Sequence, residues 1–207
     1  MEFCFCKYAV AWISLQLPEQ KEGLFSYFRI TYNKHECIEI FKSEGLPTVG
    51  SYLIGNHKLA TEDLFDKIEK VFGLPLVVKP NRGTLSKGVM KVETRKEMKG
   101  AVSLAFKQDH QVLIEPYISD GVEITCTVHD ITFDELLEAF PITEINTSGK
   151  VFSVDNSSKA EVITPAKALN TEVTQQVVKV AKVAYRALNL CGLATFDFIV
   201  KVSKCNV

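Results

Sequence analysis

Apolar residues recur at helical spacing in several stretches of the 207-residue chain, with short β-branched runs and alternations between them. From Asn33 to Ser43, the residues Cys37, Ile38 and Phe41 share one helical face, Gly45 closes the helix and Pro47 prevents its continuation. Thr48 to Ile54 alternates as a strand. Thr61 caps a second helix whose stripe is Leu64, Phe65, Ile68 and Phe72, ending at Gly73. Pro75 to Pro80, with Leu76-Val77-Val78 at its centre, reads as a buried strand. A loop, Asn81 to Gly88, leads to a strand over Val89 to Val92. Thr94 and Glu97 have the spacing of a capping box for a third helix ending near Phe106. Gln111 to Tyr117 and Val122 to Val128 are strands parted by the turn Ser119-Asp120-Gly121, and a further strand is expected over Ala139 to Ile145. After a polar loop, Asn170 or Thr171 opens a long helix carrying Val173, Val177, Val180, Ala184 and Leu188. Gly192 follows, then a strand over Ala194 to Val202.

Short strands mixed with helices, joined by hairpins more than by strict βαβ alternation, predict an α+β arrangement in two lobes with a boundary near Ser119 to Gly121. The formal net charge of -1 and scattered basic residues argue against a nucleic-acid partner. The longest strongly apolar candidate, Tyr8 to Leu15, is too short for a bilayer, so no membrane association is expected. Glu2 in the place of a basic region, and no A-x-A-like site, argue against a signal peptide; the bias of a transit peptide is also missing from Met1 to Phe28. The six cysteines are scattered without a C-x-x-C pair, which favours free thiols in a reducing compartment over a metal or redox site.

Candidate chemistry begins at Lys79. An ammonium at the end of a buried strand needs an anionic partner unless its stem carries it to water, the ordinary outcome for a lone lysine. The loop after it, Asn81-Arg82-Gly83-Thr84-Leu85-Ser86-Lys87-Gly88, supplies two glycines, two hydroxyls and two cations, an inventory suited to phosphate oxygens. It lacks the G-K-[ST] ending of a Walker loop. Glu115 and Glu123 lie near facing strand ends, and Asp197 alternates with Phe196 and Phe198. Taken singly, Glu115 and Glu123 are as readily solvated carboxylates as ligands, and Asp197 reads first as an exposed-face carboxylate.

The run Pro75-Leu76-Val77-Val78-Lys79-Pro80, then Ser86, Gly88 and Lys91-Val92, resembles the strand and phosphate loop of D-alanine–D-alanine ligases. Leu113-Ile114-Glu115 with Glu123 is similar to the family's nucleotide-cradling linker, with one extra residue between the acids. Ala160 to Ala166, Ala187-Leu188-Asn189-Leu190 and Asp197 follow in the family's order, and Asn33-Lys34 with Glu44-Gly45-Leu46-Pro47 is similar to its D-K opening. The resemblance covers about Thr31 to Val200.

The resemblance implies an α+β ATP-grasp fold with an unmatched segment over residues 1–30, a small lobe over 31–120 and a large lobe over 121–207. It implies ATP and Mg2+, with Mn2+ as an alternative ion, and D-alanine or another small carboxylate as substrate. Lys34 and Lys79 would meet phosphates, and Ser86 with the backbone around Gly88 would fold over them. Glu115 would take the adenine amino group, Pro116, Tyr117 and Ile118 would offer backbone groups to the base, Glu123 would hold ribose, and Asp197 would bind the metal. ATP would activate one carboxylate as an acyl phosphate for attack by the second amine.

Departures are also implied. Thr195 stands two positions before Asp197 where the family usually carries arginine, and Phe152 to Lys159 is shorter than the family's loop, Lys159 being a candidate replacement for its lysine. The family's N-terminal domain and its E-x-N strand are not matched, so the sequence predicts little ligase activity from this chain alone. A non-catalytic ATP-binding module, or a ligase for another carboxylate, stands as the alternative. Relatives act in the cytoplasm, some in plastids, and are often homodimers.

Overall fold

The computed structural model describes residues 32–83, 86–130, 136–146 and 160–201, together with the backbone of residues 5–6. They fall into two compact units, residues 49–83, 86–119 and 160 in one, and 32–48, 120–130, 136–146 and 161–201 in the other.

In the unit of residues 49–119, β2 (Tyr52–Ile54), β3 (Leu76–Pro80), β4 (Met90–Val92) and β5 (Val112–Pro116) form an antiparallel sheet of order β2-β5-β3-β4. Helices α2 (Glu62–Phe72) and α3 (Arg95–Phe106) cover one face. Strand alternation sends Leu76, Val78, Val92, Val112 and Ile114 to that face, where they meet Phe65, Ile68, Met98 and Val102. The Thr61 hydroxyl accepts from the N–H of Leu64, and the Glu97 carboxylate accepts from the N–H of Glu93 and of Thr94, so each helix start has a local acceptor for otherwise orphaned donors.

In the other unit, β6 (Val122–His129) and β10 (Leu193–Val200) pair along their whole length. β8 (Thr143–Asn146) and β9 (Glu161–Ile163) extend the sheet beyond β6, and β7 (Glu138–Ala139) also pairs with β6. On the other side, the backbone of β1 (Phe5–Cys6) pairs with Val200 and Ile199. The core joins Ile124, Cys126, Val128, Phe196 and Phe198 to helices α1 (Lys34–Ser43) and α4 (Thr171–Ala187). The stripe of α4 is Val173, Val177, Ala181, Ala184 and Tyr185; Val180, expected in it, is only partly buried, and small alanines take the central contact with the sheet.

Three differences from the sequence reading have physical causes. The helix at 34–43, read as opening a small lobe over 31–120, belongs to the other unit, because Cys37 and Phe41 pack in the core that contains α4. The expected strand over Ala139 to Ile145 is divided into β7 and β8. Val128 pairs with Ala139 but Thr125 with Thr143, so one extra residue is taken up around Pro141, which has no N–H for the ladder. β9 went unread because Glu161 and Val162 are exposed and leave no buried alternation to detect.

Candidate functional site

β3 and β5 run antiparallel with Val77 opposite Glu115 and Lys79 opposite Leu113, so Lys79 and Glu115 are diagonal neighbours on the sheet face away from α2 and α3. Lys79 Nζ donates to Glu115 Oε2 at 2.7 Å, with only 5% and 0% of the two residues exposed. Burial pushes the lysine pKa down, and the carboxylate opposes that shift through its charge and its hydrogen bond. Sequence reasoning assigned these residues separate ligand contacts; the register also brings them to each other.

Lys91, opposite Val77 on β4, shares this face. Its ammonium lies 4.3 Å from the centre of the Tyr117 ring and 2.8 Å from Glu93 Oε1. The segment Pro116, Tyr117 and Ile118 continues from β5. Pro116 has no N–H, and Tyr117 donates its own to the Pro75 carbonyl at 2.9 Å, so among these three the Ile118 N–H stands outside the ladder.

The glycine loop leaves β3 at Asn81. Arg82, counted in sequence among its cations, is held elsewhere: its guanidinium donates to Gln111 Oε1 at 2.9 Å. Ser86 and Gly88 take left-handed backbone angles, with φ of 54° and 75°. At Gly88 a Cβ would lie 2.8 Å from Gln108 Cγ and 3.1 Å from Pro80 Cγ, which explains glycine there by close approach as well as by φ.

The other unit holds a second group of predicted residues. Glu123, Thr125 and Thr127 of β6 and Thr195 and Asp197 of β10 share the half-buried face opposite the core. Asp197 is pushed up to about 8, first by burial and then by the charge of Glu123. Burial alone pushes Glu123 up to about 7. The Thr195 and Thr127 hydroxyls are hydrogen-bonded at 2.8 Å, a pairing sequence reading missed because it depends on strand register. Lys34 opens α1 in this same unit, behind the Asn33 cap. Lys159 lies outside the described residues.

Among the described residues no group of three or more His, Cys, Asp and Glu side chains is placed to hold a metal ion, and no helix is long and apolar enough to cross a membrane. Cys37 and Cys126 are buried thiols outside any disulfide, both pushed up to about 12, mainly by burial.

Antiparallel sheets, each with two helices on one face, define the class: this is the α+β ATP-grasp fold. The VanG D-Ala:D-Ser ligase from Enterococcus faecalis has the same fold, with a TM-score of 0.69 and 23% identity over 83% of this chain and 49% of that one. The D-alanine–D-alanine ligase from Bacillus anthracis gives a TM-score of 0.67 and 30% identity over 84% of this chain and 54% of that one. Residues 40–206 match the family model described as D-ala D-ala ligase C-terminus. Curated D-alanine–D-alanine ligases from Flavobacterium johnsoniae and Bacteroides fragilis are 32% and 33% identical over 83% of this chain and 51% of their own length. The chain belongs to the D-alanine–D-alanine ligase family, and it spans about half the length of the curated relatives it matches.

Proposed function

We propose that the chain binds ATP with magnesium and carries the nucleotide-handling part of an ATP-dependent ligase joining two D-alanines. The observation that carries this reading is the buried Lys79–Glu115 pair at 2.7 Å, set between a glycine loop and the Pro116–Ile118 segment. Lys79 would present its charge to phosphate oxygens, and Glu115 would both orient that ammonium and accept from an adenine amino group. Ile118 N–H would donate to the base, because Tyr117 N–H is already engaged. Ser86 and the backbone at Gly88 would meet the phosphates, Glu123 the ribose, and Lys34 a further phosphate.

Two carboxylates drawn together on one half-buried face suit a hard divalent cation, which would relieve the cost of keeping both ionised. Asp197 would hold Mg2+ or Mn2+, and the ion would supply neutralisation of phosphate charge. In the reaction so read, one substrate carboxylate takes the γ-phosphoryl group, and the amine of the second substrate displaces phosphate. The same reading places the protein in the cytoplasm, where ATP is available.

The test is calorimetric titration of the chain with magnesium-ATP beside Lys79→Ala and Glu115→Ala. Binding by the wild type that is lost in both folded variants supports the reading; binding that survives in both sinks it. A second reading, nucleotide binding without ligation, is favoured by Thr195: the family resemblance implies arginine there, and its hydroxyl is instead bonded to Thr127. D-alanine-dependent phosphate release separates the two readings.

A further inference from the structure

Both described ends of the glycine loop land on one short stretch, residues 105–111, which runs from the last turn of α3 to the start of β5. At the first end, Asn81 N–H donates to the Gln111 carbonyl at 2.9 Å, and Arg82 N–H donates to Asp109 Oδ2 at 2.7 Å. Gln111 Oε1 accepts from Asn81 Nδ2 at 3.0 Å and from the Arg82 guanidinium at 2.9 Å. At the second end, Gly88 is seated so closely that an added Cβ would come within 2.8 Å of Gln108 Cγ and 3.5 Å of the Ala105 Cα. Asn81 is fully buried, and the Asp109 side chain is only 5% exposed, so these bonds are partly sheltered from competing water.

We infer that Asp109 is a positioning residue for the phosphate loop: by accepting the Arg82 N–H it fixes where the loop departs from β3, while the Gly88 seat fixes where it returns. The inference rests on the nucleotide reading above. Asp109 is itself an anion and would repel phosphate, so any contribution it makes to triphosphate binding passes through the groups it holds, the Arg82 N–H at 2.7 Å first, with the His110 ring nitrogen at 2.9 Å and the Arg82 guanidinium at 4.0 Å beside its other oxygen. That gives the inference a sign opposite to simple electrostatics. Deleting a nearby negative charge would tighten binding of an anionic ligand, whereas deleting an anchor loosens it.

The experiment titrates the full chain with magnesium-ATP and with adenosine, for the wild type, Asp109→Ala, Asp109→Asn and Gly88→Ala. Asp109→Ala is expected to weaken magnesium-ATP about tenfold while leaving adenosine within about twofold, since only the phosphates meet the loop. Asp109→Asn keeps an oxygen that accepts the Arg82 N–H and is expected to restore binding. Gly88→Ala, at the opposite end, is expected to show the same split, so the test survives if one variant fails to fold. Equal losses for the two ligands, or tighter magnesium-ATP in Asp109→Ala, overturn the positioning role. A wild type that binds adenosine and ATP alike, with no gain from the phosphates, overturns it too. A wild type that binds neither ligand refutes the nucleotide reading itself, and the inference falls with it.

Discussion

Lys79 and Glu115 are a charge pair withdrawn from water, so each needs the other more than the fold needs both. Glu115→Gln is expected to destabilise the chain by about 3–5 kcal/mol, because an ammonium stays buried without its carboxylate, whereas Lys79→Met with Glu115→Leu should recover most of that loss. Urea unfolding of the two variants checks the difference. Asp197 behaves in the opposite way. Its folded value of about 8 lies above the ordinary 3.8, so its proton is bound more tightly in the folded chain. Its contribution to stability is therefore full below about pH 4, declines above that and is lost as pH rises through about 8. Without metal, Asp197→Asn should raise the thermal midpoint at pH 8 and leave it nearly unchanged at pH 4. Magnesium should raise the wild-type midpoint at pH 8 and do little for the variant. The three acids and Lys79 were legible as candidates from strand position alone, but their partners were not. Pairing Lys79 with Glu115, and setting Glu123 beside Asp197, requires the register of strands far apart in the chain.

Helices with a sustained stripe were read to within a residue or two, since each signal sits inside the element itself: Thr61 caps as expected, Asn170 rather than Thr171 caps α4, and Asn33, read as the start of α1, is its cap. Strands were read less well. Thr48 to Ile54 shortens to Tyr52–Ile54, and β9 lies at the end of the sheet order with an exposed surface. Between α2 and α3, Arg95 reaches Glu62 at 2.7 Å and Asp66 at 2.9 Å, an ion cluster whose acids are mostly exposed. Solvent screens it, so Arg95→Ala should cost no more than about 1 kcal/mol, with the loss shrinking in salt. Met98, on the inward face of the same α3, has no exposed surface, and Met98→Ala should cost about 2–5 kcal/mol. Denaturation at low and high salt distinguishes the surface contribution from the core contribution.

At the scale of the molecule, each unit has its own hydrophobic core, so damage should stay local. Phe196→Ala is expected to speed hydrogen exchange across β6, β10 and α4 while leaving β3 and β5 protected, and Met98→Ala should do the reverse; peptide-resolved exchange reads both. The two units also differ in how the chain visits them. Among the described residues, one takes 49–119 with only Ala160 added later, while the other takes α1 from before that stretch and α4 from after it. Phe41, wholly buried in the finished fold, finds its α4 neighbours only about 130 residues later. At a synthesis rate of about 5–20 residues per second, α1 would wait on the order of 10 s with its apolar face uncovered, after the intervening unit has become able to fold. The order of birth along the chain thus leaves α1 an apolar surface in need of a chaperone.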